Sequence, residues 1–265
     1  MLNFLKRLVA FTGFLILAWG GLGIVALSLP IVEARLIAQE KDWGHVNKKT
    51  AEWQTLRMGE KMDVMLFGSS TCYEGIDPSA FLELGYNVFN FCSSAQTLEG
   101  SDILFHSTLE DQVPNFVILD IYPMNWPGGM PAEHALDWVV NGNLWDDHWT
   151  KSIRTLALKS HSAYAILASF YYPLRRRFEP AGNHATPDRL GYYHGRGFVF
   201  RTNQSLKTIP PGVCKSVTLS PAHEASIWSI RRTCEERGIQ LMVLNPPQLI
   251  EEDFEIPECL TGLPW

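Results

Sequence analysis

From residue 62 onward, short apolar runs alternate with longer segments that carry helix signals. The apolar runs have the length of buried strands and are rich in β-branched and aromatic residues; they cover residues 64–67, 88–91, 116–122 and 239–244. Strands that alternate with helices through short connections pair in parallel, by right-handed crossovers. The pattern therefore predicts an α/β fold, a three-layer sandwich of the flavodoxin-like kind with a mostly parallel sheet.

Capping residues and glycines mark the ends of the helices between these strands. Asp77-Pro78 places an N-cap before a proline at the first helical position, and Gly85 suits the end of that helix. Ser220-Pro221 repeats the start signal, and Gly238 repeats the stop signal. Another helix is predicted over residues 97–112. These signals are local, so they place the helices independently of the strand assignment.

The N-terminus carries a long apolar run. Residues 8–32 contain no charged side chain, and Lys6 and Arg7 stand directly before them. A run of this length spans a bilayer, whereas the apolar core of a signal peptide has about 7–15 residues. Lys6 and Arg7 favour a cytoplasmic N-terminus. We therefore predict a single-pass membrane protein whose main domain is extracytoplasmic (periplasmic if the source is bacterial), with signal cleavage after Ser28 as the alternative.

Three regions follow from this pattern. They are an anchor at 1–32, a juxtamembrane connector at 33–60 that is partly helical, and an α/β domain at 61–265. The strand and helix alternation loosens between about 123 and 211, which predicts a long insertion over the carboxyl edge of the sheet. Within the insertion, residues 156–172 are apolar enough to predict a helix.

The insertion contains four tryptophans and a basic triplet. The tryptophans, at positions 126, 138, 145 and 149, are expected to pack the insertion onto the sheet, with a sugar-stacking platform as the alternative. The triplet Arg175-Arg176-Arg177 is expected to form an exposed basic face, with contact to anionic lipid headgroups as the alternative.

Charge and cysteine content narrow the classes of function. A formal net charge of −6 argues against a general nucleic-acid binder, so no nucleic-acid partner is expected. The chain has five cysteines, Cys72, Cys92, Cys214, Cys234 and Cys259. No two of them have the CxxC spacing of a metal pair, and we assign neither a metal nor a cofactor. Cys92 and Cys234 are predicted to be small core residues. In an oxidising compartment the other cysteines allow a disulfide, for instance between Cys214 and Cys259.

The tripeptide Gly68-Ser69-Ser70 follows the first strand directly. A short strand that breaks at glycine places the next serine at the carboxyl edge of the sheet, where open α/β folds bind their ligands. Residues 67–70, 75–78 and 88–95 together resemble the SGNH (GDSL-like) hydrolase superfamily, most of all its membrane-anchored extracytoplasmic branches. Those branches include alginate O-acetylation proteins and the D-alanyl transfer proteins of teichoic acid modification.

This resemblance implies a set of site residues. Ser70 would be the nucleophile that attacks an ester carbonyl, and Ser69 occupies the position where the family has aspartate. Oxyanion and binding groups would come from Gly68, Ser69 and the backbone N–H of Ser94. The family's third motif, Gly-x-Asn, is replaced here by residues 120–122, so the nearest asparagine is Asn125.

The function that the resemblance implies is a serine esterase or O-acyltransferase acting on acylated cell-envelope carbohydrate. A membrane-bound acyltransferase is the protein partner it suggests. The family's histidine base lies in an Asp-x-x-His motif after the last strand, but no histidine follows Leu244. We therefore expect either that the chain continues beyond Trp265 into this motif, or that the base has been lost. The second case predicts a catalytically inactive binding or assembly subunit of a cell-envelope modification system.

Other histidines offer weak substitutes for the base. His223 is expected to be a solvated residue at a helix start, and His45, three residues after Asp42, has the Asp-x-x-His spacing but precedes the first strand. His184 and His194 are expected to be bystanders in the insertion. A last group is predicted to be a solvated acidic surface, with a metal site as the alternative: His134, Asp137, Asp146, Asp147 and His148.

Overall fold

The centre of the fold is a parallel sheet. The computed structural model describes residues 2–28, 44–122, 132–141, 147–176, 191–200, 219–245 and 258–264. This described part holds six strands: β1 (Val64–Phe67), β2 (Val88–Asn90), β3 (Phe116–Asp120), β4 (Tyr192–Gly195), β5 (Phe198–Phe200) and β6 (Gln240–Leu244). Four of them form one sheet in the order β2-β1-β3-β6, with every pair parallel. The prediction of an α/β fold with a mostly parallel sheet is confirmed.

Nine α-helices and one 3₁₀-helix are described. They are α1 (Leu2–Ser28), α2 (Val46–Gly59), α3 (Ser70–Gly75), α4 (Pro78–Glu83), α5 (Leu98–Asp111), α6 (Ala132–Asn141), α7 (Asp147–Lys159), α8 (Ala163–Arg176), α9 (Pro221–Arg237) and the 3₁₀-helix Glu258–Leu260. The predicted caps are present: Asp77 accepts a hydrogen bond from Ser79 N, and Ser220 accepts one from His223 N. Gly238 ends α9 with a φ of 68°.

Apolar side chains leave the sheet on both faces because successive strand residues point to opposite sides. On one face, Met65, Phe67 and Leu119 belong to the larger hydrophobic cluster, which α5 and α9 help to form. On the other face, Leu66 and Val88 pack in a smaller cluster that includes residues of α3 and β5.

The second half of the predicted connector takes part in the larger cluster. Trp53 in α2 is fully buried, and its indole lies 5.2 Å from the ring of Phe89 and 4.8 Å from that of Phe91, centroid to centroid. Residues 33–43 of the connector lie outside the described residues. The helix α2 (Val46–Gly59) is therefore packed onto the sheet.

The helix predicted over residues 156–172 is two helices. The chain turns between α7 and α8 at residues 160–162, where His161 has a φ of 52°. This left-handed conformation cannot continue a right-handed helix. Ser162 then begins the new helix, since its hydroxyl accepts a hydrogen bond from Ala165 N at 3.2 Å.

The β4–β5 hairpin covers the outer edge of the sheet at β2. The turn between its strands binds this edge directly, because Asn90 N donates to Arg196 O at 2.9 Å. Gly197 has a φ of 85°, and a Cβ there would overlap the carbonyl oxygen of Asn90. Glycine is therefore required at position 197. The turn provides an acceptor for the N–H of Asn90, a group that an edge strand otherwise leaves exposed.

The N-terminal helix α1 contains a segment, Asn3–Gly23, that is long and apolar enough to cross a membrane and is not buried against the rest of the chain. A signal sequence has the same properties. Near the end of this segment, Gly23 lies against Leu167 of α8, where a Cβ on the glycine would be 3.0 Å from Leu167 Cδ1. The membrane-spanning prediction is therefore supported by length and composition.

Candidate functional site

A buried carboxylate holds the turn that follows β1. Asp120, the last residue of β3, is fully buried at the carboxyl edge of the sheet. Its Oδ2 accepts hydrogen bonds from Ser69 N and Ser69 Oγ, both at 3.0 Å, and from Thr71 Oγ1 at 2.7 Å. Its Oδ1 accepts from Tyr122 N at 2.9 Å. Asp120 therefore joins the ends of β1 and β3 through four donors.

Gly68 makes this arrangement possible. A Cβ at position 68 would overlap the Cβ and carboxyl group of Asp120. Without a side chain, the backbone of residue 68 approaches β3 closely enough for Ser69 N to reach the carboxylate. The predicted binding residues Gly68 and Ser69 thus serve to position the turn, and Ser69 is itself fully buried.

Ser70 lies between two residues that Asp120 holds, at the first position of α3. Its side chain is half-buried, and its hydroxyl makes no hydrogen bond to another residue of the described part of the chain. Ser69 and Thr71 on either side both donate to Asp120. The turn therefore fixes the neighbours of Ser70 and leaves its hydroxyl available, as a nucleophile requires.

The loop after β2 reaches the same edge. Ser93 N donates to Gly68 O at 3.1 Å, which places this loop beside the turn that carries Ser70. Within the described residues, the N–H of Ser94 donates no hydrogen bond, and Ala95 has the left-handed φ of 51° that favours glycine. Gly44 packs against the backbone of Ser94. The loop thus offers a backbone N–H near the turn, although glycine is absent from it.

The hydroxyl of Ser93 connects this loop to the insertion. It contacts Gln96 Oε1 at 2.8 Å and His134 Nδ1 at 3.3 Å, and it accepts from Trp138 Nε1 at 3.0 Å. His134 and Trp138 belong to α6, so this helix lies over the loop. The prediction that the tryptophans pack the insertion is confirmed for the buried Trp138 and Trp149; Trp126 and Trp145 lie outside the described residues.

His134 is buried, which corrects the prediction of a solvated surface at this residue. Asp147 is exposed as predicted, and Asp146 lies outside the described residues. A Cβ on Gly100 would overlap its Nε2, and within the described residues this nitrogen has no hydrogen-bond partner. Burial lowers the pKa of His134 to about 3, and a hydrogen bond with the backbone of Ser94 offsets part of this effect. Asp137 is buried as well, and no three described His, Cys, Asp or Glu residues are grouped to hold a metal ion.

Stability is expected to fall in mild acid because His134 is neutral in the folded protein. The His134 imidazole is protonated near its ordinary pKa of 6.5 in the unfolded chain, but only near a pKa of about 3 in the folded chain. The contribution of neutral His134 to folding stability is therefore complete above about pH 6.5 and is lost as the pH falls. Between about pH 7 and pH 5 we expect a loss of about 2 kcal/mol in the free energy of unfolding. Burial also lowers the pKa of His223, which adds to the loss.

Urea denaturation of the wild type and His134→Asn at both pH values measures this effect. The variant should show a smaller loss on going to the lower pH, and a comparison at pH 8, where position 134 is uncharged in both proteins, isolates the packing cost of the substitution. Equal pH dependence of the two proteins would contradict the prediction.

A disulfide joins the two sides of the site. Cys72 in α3 is bonded to Cys92 in the loop after β2, with Cα atoms 6.1 Å apart. The prediction that Cys92 is a simple core residue is therefore wrong, because parallel neighbours β1 and β2 bring both cysteines to one edge of the sheet. Cys234 is a free, buried thiol as predicted, and Cys259 is also a free, buried thiol. Cys214 lies outside the described residues.

A buried lysine lies against this disulfide. Lys49 of α2 donates through Nζ to the carbonyl of Cys92, and the ammonium lies 4.6 Å from the centre of the Tyr73 ring. Nothing in the sequence signalled this residue, because a lysine in a polar segment is ordinarily solvated. Its charge is placed where α3 and the loop after β2 meet.

His223 is buried, so the prediction of a solvated residue is wrong. Its Nε2 lies 4.0 Å from Glu99 Oε2, and within the described residues neither His223 Nδ1 nor Glu99 Oε2 has a hydrogen-bond partner. His223 lies in the first turn of α9 and Glu99 in the first turn of α5, and these two helices pack together. Burial lowers the pKa of His223, and the nearby Glu99 raises it in part.

Within the described part of the chain, the remaining predicted residues do not complete a triad. Asn125, Asp42 and His184 lie outside the described residues, while His194 is exposed in β4. His45 is nearly buried at the start of α2, with its ring centre 6.0 Å from that of Tyr193. Among the described histidines, none makes a hydrogen bond to Ser70.

Comparisons with protein-family models, with characterised proteins and with solved structures each find no match to this chain. A function is therefore inferred from the geometry of the site.

Proposed function

We propose that this chain is a membrane-anchored serine esterase or O-acyltransferase of the SGNH type, with a three-layer α/β domain outside the cytoplasm. Its substrate would be an acylated carbohydrate of the cell envelope, and a membrane-bound acyltransferase would be its partner. Ser70 would attack the ester carbonyl and form an acyl-enzyme, which water or a carbohydrate hydroxyl would then resolve.

The observation that carries this proposal is the presentation of Ser70. Asp120 binds the residues on both sides of it, Ser69 and Thr71, whereas the hydroxyl of Ser70 is bound to no other described residue. A serine held in this way at a strand-to-helix turn is typical of acyl-transfer nucleophiles. A turn that served stability alone would gain by satisfying this hydroxyl as well.

Two backbone groups support an oxyanion-binding role. The N–H of Ser70 lies in the first turn of α3, and the N–H groups of a first turn have no carbonyl partner within the helix. The N–H of Ser94 donates no hydrogen bond within the described residues. The hydrogen bond from Ser93 N to Gly68 O keeps these two segments together. Each such donor is worth about 10²–10³ in rate where it faces the developing charge.

A second candidate function is a catalytically inactive binding or assembly subunit with the same fold. It is favoured by the lack of a hydrogen bond between Ser70 and any described histidine, because serine is a weak nucleophile without a base. In that case the carboxyl edge of the sheet would bind acylated carbohydrate without cleaving it.

Labelling with a fluorophosphonate probe tests the proposal. We expect the detergent-solubilised full chain to be labelled and Ser70→Ala to lose the labelling, because the probe reacts only with an activated serine hydroxyl. Ser79→Ala is the matched control: Ser79 is an exposed serine at the start of the neighbouring helix α4, and its removal should leave labelling unchanged.

Each outcome selects one function. Labelling that depends on Ser70, accompanied by hydrolysis of a nitrophenyl acetate ester, supports the enzyme. Equal labelling of the wild type and Ser70→Ala overturns the role of Ser70. Absence of labelling in a protein that still unfolds cooperatively supports the inactive subunit.

A further inference from the structure

The helices α7 and α8 present a mixed basic and apolar face to solvent. Lys151, Arg154, Leu158 and Lys159 are spaced so that they share one side of α7, and the Leu158 side chain is 55% exposed. From α8, Phe170 joins this side, with 46% of its surface exposed. We call these five residues the basic-apolar face.

The face lies close to α1, because the neighbouring residue Leu167 of α8 contacts Gly23. Gly23 is the last residue of the apolar segment Asn3–Gly23. Phe170 follows Leu167 by three residues and so lies on the same side of α8. The guanidinium of Arg154 stacks over the Phe170 ring at 4.7 Å from its centre. The basic-apolar face therefore lies beside α1, next to the part of α8 that contacts Gly23.

The charge of this helix pair differs in sign from that of the chain. Residues 147–176 contain five cationic residues and one acidic residue; the cations are Lys151, Arg154, Lys159, Arg175 and Arg176, and the acid is Asp147. The whole chain carries a formal net charge of −6. Positive charge is thus concentrated in the segment that contacts α1.

We infer that the basic-apolar face lies on the surface of the bilayer and binds anionic lipid headgroups beside the membrane-spanning helix. Lysine and arginine beside exposed leucine and phenylalanine are the composition of helices that lie in the interface, where the apolar side chains enter the acyl boundary and the cations meet anionic headgroups. The contact between Gly23 and Leu167 holds the face beside the membrane-spanning helix. This inference concerns lipid contact alone and does not depend on the reactivity of Ser70.

Spin labels on the full chain test the inference. Leu158→Cys carries a nitroxide on the basic-apolar face, and Arg232→Cys carries one on the exposed side of α9 as the matched control, since Arg232 is 74% exposed at its side chain. The described free thiols, Cys234 and Cys259, are buried, and the parent protein taken through the same labelling gives the background. Collision rates with molecular oxygen and with a neutral nickel chelate are measured in vesicles of phosphatidylcholine and phosphatidylglycerol.

At position 158 we expect oxygen collisions to exceed nickel collisions several-fold, because oxygen concentrates in the acyl region and the chelate stays in water. At position 232 the order should be reversed. Equal nickel accessibility at the two positions overturns the inference. Spin–spin broadening at position 158 that disappears on dilution with unlabelled chain also overturns it, because a second copy of the chain would then cover the face.

Charge reversal separates headgroup binding from apolar burial. In the triple variant Lys151→Glu, Arg154→Glu and Lys159→Glu, nickel accessibility at position 158 should rise to that of position 232. The control is charge reversal of Lys61 and Arg232, which are exposed elsewhere on the protein. It should leave nickel accessibility at position 158 unchanged. Protection at position 158 that is the same in the triple variant, or in phosphatidylcholine alone, overturns the assignment to anionic lipid. Cooperative unfolding of the variant shows that the fold is retained.

Discussion

Replacing Asp120 by alanine is expected to lower the free energy of unfolding by about 3–5 kcal/mol. The carboxylate is fully buried and accepts hydrogen bonds from Ser69 N, Ser69 Oγ, Thr71 Oγ1 and Tyr122 N. Alanine would leave these donors without their acceptor in a region from which water is excluded. Each buried group that loses its partner costs about 1–3 kcal/mol, and partial relaxation of the turn limits the sum.

Urea denaturation of the detergent-solubilised chain measures this loss. Asp63→Ala is a matched control, because Asp63 also joins neighbouring segments of the sheet but does so at the amino end of β1, where it accepts from Asn87 N and Asn115 Nδ2. Both variants should be destabilised. Under conditions where both remain folded, only Asp120→Ala should reduce fluorophosphonate labelling. A loss below about 1 kcal/mol for Asp120→Ala would contradict the role assigned to this carboxylate.

Asp111→Ala is expected to cost a similar amount, about 3–5 kcal/mol, by a different mechanism. Asp111 ends α5, and its carboxylate accepts from Trp53 Nε1 at 3.0 Å, from Trp149 Nε1 at 2.9 Å and from Arg57 Nη1 at 2.6 Å. These donors come from α2 and α7. The substitution would remove the carboxylate that pairs with the largely buried guanidinium of Arg57 and would loosen α2 and α7 from α5 at once.

Thermal unfolding followed by tryptophan fluorescence reports this change directly, since two of the affected donors are indoles. Glu110→Ala is the control: this neighbouring carboxylate is 62% exposed at its side chain and should change stability by no more than about 0.5 kcal/mol. A cost for Asp111→Ala as small as that of the control would show that the two indoles and the guanidinium find other partners.

The four strands of the parallel sheet and the capped helix starts were predictable because their signals are local, whereas β4 and β5 lie in the region predicted to be an insertion. The strand β1 occupies the residues predicted for it, and the caps at Asp77 and Ser220 bind the backbone as expected. The helix at 156–172 was predicted wrongly for a related reason. The break at His161 is marked by no glycine or proline, so one helix was predicted through the short polar stretch at residues 159–162.

The candidate site was predictable only in part. Ser70 could be identified from the glycine that ends β1, since a strand-to-helix turn exposes the next residues at the edge of the sheet. The role of Asp120 was not visible, because its partners Ser69 and Thr71 are about fifty positions earlier in the chain. A sequence pattern does not report which strands become neighbours.

Short-range periodicity and composition were enough to predict the α/β class, the four strands of the parallel sheet, the capped helices that begin after Asp77 and Ser220, and the apolar N-terminal segment. Tertiary structure alone decided what surrounds the serine. The strand order β2-β1-β3-β6 brings Asp120 and Cys92 to the turn at Ser70, and helix packing buries His134 and His223. Burial and neighbourhood are properties of distant segments in contact, and they set both the hydrogen bonds and the pKa values of this site.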